Sequence, residues 1–373
     1  MATAERVPVV VIGAGPAGLA TSAELRKRRV EHRVLERGSS VGHSWRGLYD
    51  SLTLHTGKHL SALPGLRFGR AVPLFPSRDD FVDYLERYAG RFSLPVETGR
   101  EVSRVRRDGT RWRLETRSGP LDAEALVVAT GIVSNPRIPT FEGQGIFRGR
   151  VLHSVEYRRP DEFVGQRVLV VGVGNSGGEI ASELARSGAQ VTISVRTGAN
   201  VVPRSFLRIP VQYLSVLLRV LPRGGRNHVA RVFARITELR RGPAVLPRPP
   251  YGPLDAIPLI GFHLVDAIRD GLITVRGALA AFTPDGVRFA DDRREAFDSV
   301  IFATGFTPAL SSLDGLVHRD ERGFARRVDR VSSADQPDLF FVGHTYDAAG
   351  GLFNIGRDAK LAADRIAQRI MHR

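Results

Sequence analysis

The sequence predicts an α/β protein made of two Rossmann-like dinucleotide-binding domains, of which the second is inserted into the first. Two glycine-rich turns carry this prediction: "VVVIGAGPAGLA" at positions 9–20 and "VLVVGVGNSGGEIA" at positions 168–181. Each turn follows a continuous apolar run, as expected of a parallel strand covered on both faces, and precedes a helical pattern. The chain of 373 residues is also long enough for two domains of ordinary size.

The first turn has the spacing G-x-G-x-x-G. Its first glycine permits the tight turn, its second lets a pyrophosphate approach the backbone, and its third lets the helix pack close to the strand. The strand before it is predicted at Val9–Ile12 and the strand after the helix at Arg33–Leu35, which ends in the acid that would hold ribose hydroxyls. We therefore expect this turn to bind the ADP half of FAD, through Gly13, Gly15, Pro16, Ala17, Gly18, Glu36 and Arg37.

The second turn has the same spacing, between a strand predicted at Val168–Val171 and a helix predicted at Asn175–Arg186. The next strand, Val191–Val195, is followed by an arginine in place of an acid. An arginine there pairs with a 2′-phosphate, which a carboxylate would repel. The pattern favours NADP(H) over NAD(H), held by Gly172, Gly174, Asn175, Ser176, Gly177 and Arg196. For Asn175 and Ser176, a helix N-cap role is the alternative.

Composition narrows the chemistry. The absence of cysteine excludes structural disulfides, thiolate metal sites and a redox-active cysteine pair, and we assign no metal site and no certain catalytic residue. The net charge of +15 comes from arginines scattered along the chain, so we expect no nucleic-acid partner. The first strand begins too early to leave room for a signal peptide, and no apolar stretch could span a bilayer. The expected location is cytoplasmic.

Two nucleotide sites in one chain indicate a hydride relay, in which a nicotinamide reduces a flavin and the flavin passes the electrons onward. A disulfide reductase would pass them to a cysteine pair, and the sequence contains none. The electrons must therefore reach an acceptor without a dithiol.

The stretch "FRGRVLHSVEY" at positions 147–157 spells F-x-G-x-x-x-H-S-x-x-Y. It resembles the fingerprint of the flavin-containing monooxygenases (class B flavoprotein monooxygenases), in particular of their plant-type YUCCA branch. Baeyer–Villiger monooxygenases have a similar segment, usually with tryptophan at the last position. The resemblance implies that this segment couples the domains, and we expect no acid–base role for its histidine. The fingerprint residues are Phe147, Gly149, His153, Ser154 and Tyr157.

The resemblance extends over most of the chain. The segments "VVATGIVSNPRIP" (127–139) and "IFATGFTP" (301–308) match the paired ATG segments of the family, and "GGLFNIGRDAKLAADRI" (350–366) resembles its closing helix. Residues 49–68 resemble the substrate side of the plant branch, and the histidine at position 55 agrees with that branch better than with the asparagine of animal and bacterial members. The further cofactor contacts that the resemblance implies are Trp45, His55, Thr130, Gly131, Thr304, Gly305, Gly343, Gly351 and Leu352.

The resemblance implies an FAD- and NADPH-dependent monooxygenase that uses O2, through a C4a-(hydro)peroxyflavin, to oxygenate a small organic substrate. The protein would mainly exclude water and orient the reactants. Oxygenation at nitrogen or sulfur and oxidative decarboxylation of an α-keto acid both stay open, with a Baeyer–Villiger reaction as a third chemistry. An NADPH oxidase or diaphorase would share both turns, but the fingerprint argues against it. A redox sensor without turnover is disfavoured by the complete FAD half.

The predicted FAD-binding domain covers residues 1–155 and 289–373, and the predicted NADP-binding domain covers residues 162–288. Residues 203–253 are expected to form a helical and proline-rich insertion on the substrate side. Within it, residues 229–239 alternate apolar positions at helical spacing with arginines; we favour packing on the domain over contact with a membrane. Residues 296–308 are expected to return the chain to the FAD sheet, and the last helix is predicted at Arg357–Met371.

Overall fold

The structure, a computed structural model, describes residues 5–206, 209–217, 222, 224–225, 228–229, 231–232, 235, 241–252, 257–346 and 350–371. The chain divides into two compact units. Within the described residues, the first unit comprises Met1–Gly47, Leu52–Asn135 and Phe306–Arg373, and the second comprises Leu48–Ser51 and Pro136–Gly305. The boundaries of these units differ from the predicted domain boundaries.

The regular elements of the described residues are as follows. The strands are β1 (Glu5–Ile12), β2 (His32–Leu35), β3 (Val96–Glu97), β4 (Val102–Asp108), β5 (Arg111–Thr116), β6 (Gly119–Val128), β7 (Arg150–His153), β8 (Arg167–Val171), β9 (Gln190–Ser194), β10 (Val201–Val202), β11 (Ser205–Phe206), β12 (Ile209–Pro210), β13 (Leu259–Ile260), β14 (Ile273–Arg276), β15 (Leu279–Thr283), β16 (Gly286–Phe289), β17 (Arg294–Ala296), β18 (Ser299–Phe302) and β19 (Leu339–Phe341). The helices are α1 (Pro16–Lys27), α2 (His43–Arg46), α3 (Lys58–Ser61), α4 (Arg78–Arg91), α5 (Asn175–Arg186), α6 (Val211–Leu217), α7 (His263–Arg269) and α8 (Gly351–Met371).

The first unit is built on a seven-stranded sheet with the order β3-β2-β1-β6-β5-β4, in which β19 also pairs with β6. The long strand β6 pairs with three strands, one of which is β1. Its first half pairs antiparallel with β5 and its second half pairs parallel with β19. The apolar run of β1 is buried on both faces, as predicted: Val9 and Val11 lie in the core beneath α1, α4 and α8, whereas Val10 and Ile12 lie in the core of the opposite face.

The second unit repeats this plan. Its five-stranded sheet has the order β14-β9-β8-β18-β7, with every neighbouring pair parallel. A separate antiparallel sheet, β15-β16-β17, follows β14 in the chain, much as β4 and β5 precede β6 in the first unit. Phenylalanine and valine side chains of β8, β15, β16 and β18 pack together as the core between these sheets.

Strand β18 corrects one expectation. The sequence predicts that residues 296–308 return the chain to the first sheet, but Ser299–Phe302 pairs with β8 and β7 in the second sheet. The side chains of Val300 and Phe302 are fully buried in the core of the second unit, and this burial fixes the strand there. The chain returns to the first unit only after Gly305.

The last helix also differs from the prediction, since α8 begins at Gly351 and not at Arg357. A glycine pair disfavours a helix, but tertiary contacts override this preference here. Asn354, which is 2% exposed, donates to the carbonyls of Gly350 and Thr345 and accepts a 3.2 Å bond from Arg330. These bonds anchor the first turn of the helix.

The basic segment predicted as a helix at residues 229–239 lies mostly outside the described residues. Of the predicted insertion at residues 203–253, the described parts include the short strands β11 and β12 and the helix α6. Across the part of the chain that the structure describes, none of the helices has the length and apolar character that a membrane span requires.

Candidate cofactor-binding sites

The two glycine turns share one backbone conformation. Gly13 has φ +104° and Gly172 has φ +113°, values that side-chain-bearing residues rarely adopt. A Cβ built on Gly13 would lie 2.7 Å from the carbonyl oxygen of Ala129, and one built on Gly172 would lie 2.6 Å from that of Ala303. In each unit the backbone of the ATG segment therefore packs directly against the first glycine of the turn. Both ATG segments thus have a structural role.

The second and third glycines of each turn also match. Gly15 and Gly174 have extended backbones, with φ and ψ of −79° and −175° and of −78° and −177°, and a Cβ on either would meet no described atom within 4 Å. A Cβ on Gly18 or Gly177 would lie 1.8 Å or 2.1 Å from the carbonyl oxygen of the first glycine. The open side of each turn, at the start of a helix with unsatisfied N–H groups, fits a diphosphate.

Glu36 is tied to the first turn. Its carboxylate accepts 2.8 Å hydrogen bonds from the backbone N–H groups of Ala14 and Gly38, and the residue is 7% exposed. An ionised carboxylate has about four acceptor positions. The two backbone bonds therefore leave capacity for ribose hydroxyls and hold the carboxylate beside the turn.

In the second unit the position equivalent to Glu36 holds Val195, because Val171 pairs with Ser194 as Ile12 pairs with Leu35. Ser194, at the end of β9, uses its hydroxyl within the fold. The hydroxyl donates to the Gly277 carbonyl and accepts from the N–H of Leu279. Arg196 follows on an exposed loop, and no carboxylate of the described residues forms an ion pair with it. Its guanidinium is thus free to meet an anionic ligand.

Asn175 has a structural role at the second turn. Its side-chain amide donates to the Pro258 carbonyl and its side-chain oxygen accepts a 2.8 Å bond from the N–H of Ile260. The side chain therefore joins the start of α5 to β13, and its contribution to a phosphate site would come from its backbone. Ser176 contacts the phenol of Tyr49.

Phe147 and Gly149 of the fingerprint pack inside the second unit. The Phe147 ring lies 5.3 Å from that of Phe282. A Cβ on Gly149 would lie 2.4 Å from the Phe147 ring and 2.6 Å from the carbonyl oxygen of Asp298, so only glycine fits. This part of the fingerprint is a packing requirement.

His153 and Ser154 fasten the end of β7 to the second ATG segment. Nδ1 of His153 accepts from the N–H of Val155, which leaves Nε2 to donate to the Gly305 carbonyl at 3.1 Å. Burial lowers the pKa of His153 and favours this neutral form. The Ser154 N–H donates to the Phe302 carbonyl. The ring of His153 is thus fully buried with both nitrogens engaged.

Tyr157 completes the fingerprint at α5. Its ring is 1% exposed, and its phenol donates a 2.8 Å hydrogen bond to Glu183. Sequence reasoning missed this partner, and it missed Tyr49 and Glu179, which form a second phenol–carboxylate hydrogen bond one helical turn earlier. The only available signal was that the glutamates stand four apart on one predicted helix.

The threonines of the ATG segments close the loops at the unit boundaries. Thr130 donates to the Ala309 carbonyl at 2.8 Å, and Thr304 donates to the Arg137 carbonyl. Gly131 and Gly305 follow with φ +64° and +84°. All four residues thus shape the backbone at the strand ends.

Trp45 reaches the first turn through a backbone contact. The N–H of Gly42 donates to the Ala14 carbonyl, and the N–H of Trp45 donates to the Gly42 carbonyl. The Trp45 ring lies edge-on to Phe81 at 4.6 Å. His55 is partly buried and Arg37 is exposed.

Gly343 joins the first turn from β19. It has φ +83°, and a Cβ on it would lie 2.9 Å from the Cβ of Ala17. Gly351 begins α8 against the ring of Tyr346, and Leu352 packs on the first core. The next residue after Gly343, His344, is 2% exposed, and neither ring nitrogen has a hydrogen-bond partner among the described residues.

The stretch that resembles the substrate side of the plant branch lines a cavity of about 550 Å³ in the first unit. Its walls combine leucine and phenylalanine side chains with two basic ones, a composition that suits an aromatic ring beside an anionic group. The lining residues are His59, Leu60, Ala62, Leu63, Pro64, Gly65, Leu66, Arg67, Phe353 and Gly356. No group of three or more potential metal ligands occurs within the described residues.

Comparison with known proteins agrees with this geometry. The family profile described as pyridine nucleotide-disulphide oxidoreductase matches residues 10–207. Indole-3-pyruvate monooxygenase YUCCA1 of Oryza sativa subsp. japonica is 38% identical over 314 residues, which are 81% of this chain and 77% of that protein. The chain belongs to the flavin-containing monooxygenase family. The resemblance to this family and to its YUCCA branch is confirmed.

Solved structures support the same assignment for this flavin-containing monooxygenase. A variant of the flavin monooxygenase from Stenotrophomonas maltophilia superposes with a TM-score of 0.79 and 28% identity, covering 98% of this chain and 99% of that one. Cyclohexanone monooxygenase from Rhodococcus sp. Phi1, bound to NADP+, has a TM-score of 0.76 at 19% identity, covering 99% of this chain and 85% of that one, and shows the shared fold. The predicted α/β fold with two Rossmann-like domains is confirmed. So are FAD and NADPH as cofactors.

Proposed function

We propose that this monooxygenase binds FAD at the Gly13 turn and NADPH at the Gly172 turn. One observation supports this assignment most strongly: the turns share a backbone, but a buried carboxylate follows the first and an exposed, unpaired arginine follows the second among the described residues. A carboxylate suits ribose hydroxyls, whereas an arginine suits a 2′-phosphate.

When bound, NADPH supplies a hydride and FAD carries the electron pair to O2. The contribution of the chain is to bind, orient and shield. The glycine turns receive the diphosphates, and Glu36 is held in place by two backbone N–H groups. The neutral, buried His153 keeps the second ATG loop closed beside the second turn. No nucleophile–base pair is required of the protein.

For the substrate we propose an aromatic α-keto acid that undergoes oxidative decarboxylation, because the relatives are named indole-3-pyruvate monooxygenases. One keto acid anion, one O2, one NADPH and one proton give the carboxylate shortened by one carbon, CO2, NADP+ and water. The bond between the keto and carboxylate carbons breaks, one oxygen atom enters the product, and the other leaves as water. NADPH and the substrate each supply two electrons.

The test begins with purified protein loaded with FAD. NADPH should reduce the flavin anaerobically faster than NADH does. With O2 and indole-3-pyruvate, about one indole-3-acetate should form per NADPH consumed. Hydrogen peroxide in place of product with every substrate offered would favour an NADPH oxidase. A sulfoxide or N-oxide formed in place of decarboxylation would shift the proposal to heteroatom oxygenation.

Cytoplasmic location and the lack of a nucleic-acid partner also belong to this proposal. They rest on the scattered arginines and on the small-molecule chemistry of the family. Fractionation of cells that produce the protein, with and without nuclease treatment, would test both.

A further inference from the structure

The start of α5 holds a cluster of polar groups that the cofactor assignment does not use. The phenol of Tyr49 donates to the carboxylate of Glu179 and also contacts the hydroxyl of Ser176. Tyr49 is 3% exposed, and the N–H of the next residue, Asp50, donates to the Arg158 carbonyl. A segment of four residues, Leu48–Ser51, is thereby fastened to the second unit with its tyrosine against the nucleotide helix.

This cluster lies where the diphosphate of NADP(H) should bind. Ser176 is the second residue of α5 and lies two positions after Gly174, where an added Cβ would meet no described atom within 4 Å. The side chain of Asn175 is engaged by Pro258 and Ile260, so the Ser176 hydroxyl is the remaining side-chain donor of these two for a phosphate. A serine hydroxyl has one proton to donate. If the Tyr49 phenol donates to the Ser176 hydroxyl, the serine proton can point to the phosphate; if the phenol accepts, the serine proton points to the phenol.

We propose that Tyr49 and Glu179 are positioning residues for NADP(H), linked in a chain of hydrogen bonds that ends at the Ser176 hydroxyl. This inference rests on the proposed assignment of NADPH to the second turn. With Glu179 protonated, its O–H donates to Tyr49, Tyr49 donates to Ser176, and Ser176 donates to the phosphate. With Glu179 ionised, every donor reverses: Tyr49 donates to Glu179, Ser176 donates to Tyr49, and the serine presents lone pairs to the phosphate.

The surroundings of Glu179 set the balance between these states. Burial, the largest influence, raises the pKa of Glu179, and the neighbouring carboxylate of Glu183 acts in the same direction. The hydrogen bond from Tyr49 and the positive charges of His263 and Arg204 favour ionisation, but the pKa stays above its usual value. The protonated state, which directs the chain of donors outward, is thus favoured more than for an exposed glutamate.

The experiment measures the dissociation constant of NADP+ by calorimetry on the FAD-loaded protein, across the whole pH range in which the protein stays folded. In the native protein the affinity should fall as pH rises through the raised pKa of Glu179. The side-chain amide of Glu179→Gln can donate a hydrogen bond at every pH. The NADP+ affinity of this variant should therefore lose the pH dependence that the titration of Glu179 causes. Tyr49→Phe interrupts the chain and should weaken NADP+ about tenfold. It should raise KM for NADPH by a larger factor than it lowers kcat.

The matched control is Glu183→Gln, which alters the other phenol–carboxylate pair of α5 without touching the Ser176 chain. It should keep a pH-dependent NADP+ affinity, with the midpoint moved to lower pH, because the Glu183 charge helps to raise the pKa of Glu179. The ligand is the same throughout, so titration of its own phosphates cancels between variants. Equal pH profiles for Glu179→Gln and the native protein, or native NADP+ affinity in a folded Tyr49→Phe, would overturn the inference. If the native protein itself does not bind NADP+, the assignment of the second turn fails instead.

Discussion

The phenol of Tyr157 donates a 2.8 Å hydrogen bond to the carboxylate of Glu183, on the third turn of α5. Tyr157 is almost fully buried, with its ring 5.8 Å from that of Phe163. Tyr157, the last residue of the fingerprint, is thus hydrogen-bonded to α5, the helix that follows the second glycine turn. Burial raises the pKa of the Tyr157 phenol, so the phenol remains a donor.

Tyr157→Phe should destabilise the protein by about 1.5–3 kcal/mol, since a buried hydrogen bond to a charged acceptor is lost while Glu183 stays in place. Urea denaturation followed by circular dichroism would measure the shift. Tyr251→Phe, at a 39% exposed tyrosine, is the control and should unfold as the native protein does. A Tyr157→Phe midpoint equal to that of the control would contradict this role.

Substitutions at two glycines of the second turn should have different effects, one on stability and the other on NADP+ binding. Gly172→Ala forces φ +113° on an alanine and places its Cβ against Ala303, so it should destabilise the second unit. Gly174→Ala meets no described atom within 4 Å and has an extended backbone, so it should melt like the native protein. Its Cβ would occupy the phosphate side of the turn, and we expect NADP+ affinity to fall about tenfold or more.

Thermal melting and NADP+ titration on both variants test this pair. The same contrast should hold for FAD retention between Gly13→Ala and Gly15→Ala, since the first turn has the same geometry. A Gly174→Ala protein that melts natively and still binds NADP+ with native affinity would show that the diphosphate lies elsewhere.

Arg196→Glu should convert a phosphate partner into a repelling charge. The residue is exposed, and none of the described carboxylates pairs with it, so the substitution should leave stability within about 0.5 kcal/mol. KM for NADPH should rise by tenfold or more while KM for NADH changes little, because NADH lacks the 2′-phosphate. Steady-state reduction assays with both nucleotides give the comparison. An equal loss with both would mean that Arg196 acts on the common part of the molecule or on the fold.

His344 should make stability depend on pH. Burial lowers its pKa to about 3, against about 6.5 in the unfolded chain. Between these values the unfolded chain binds a proton that the folded protein does not. The free energy of unfolding should therefore fall as pH drops below about 6.5, by about 1.4 kcal/mol per pH unit from this group.

His344→Leu removes the proton-binding group. Between about pH 4 and pH 6, the slope of its unfolding free energy against pH should therefore be smaller than that of the native protein by the contribution of one proton. Urea denaturation of both proteins between about pH 4 and pH 8 measures the slopes. Above pH 7 the two slopes should coincide, which is the internal control. Parallel slopes below pH 6 would mean that the unfolded chain does not gain this proton preferentially.

The parts of the site that follow from local backbone geometry could be predicted from the sequence. The turn glycines are required by positive φ and by collisions within a few residues, so their spacing alone reports the turn. Glu36 was placed correctly beside the turn because the distance along one β-α-β unit is nearly constant.

The parts that depend on contacts between distant residues could not be predicted. Tyr49 and Glu179 meet across 130 positions of the chain, and neither stands in a pattern that requires the other. Strand β18 was assigned to the wrong sheet because an apolar run before an ATG segment fits either sheet equally well. The start of α8 was placed too late because local propensity at its two glycines opposes a helix that tertiary contacts nevertheless form.

The carbonyls of Ala129 and Ala303 have a consequence for redesign. Each one already occupies the space that a side chain on the facing glycine would need, so a substitution of Gly13 or Gly172 requires the facing backbone to shift. An engineer who wishes to exchange one nucleotide for another should leave these paired positions intact. The exposed Arg196 is the position where we propose that the preference can be rewritten without disturbing the scaffold, whereas Glu36 also holds the N–H groups of Ala14 and Gly38 and is needed for the shape of the first turn.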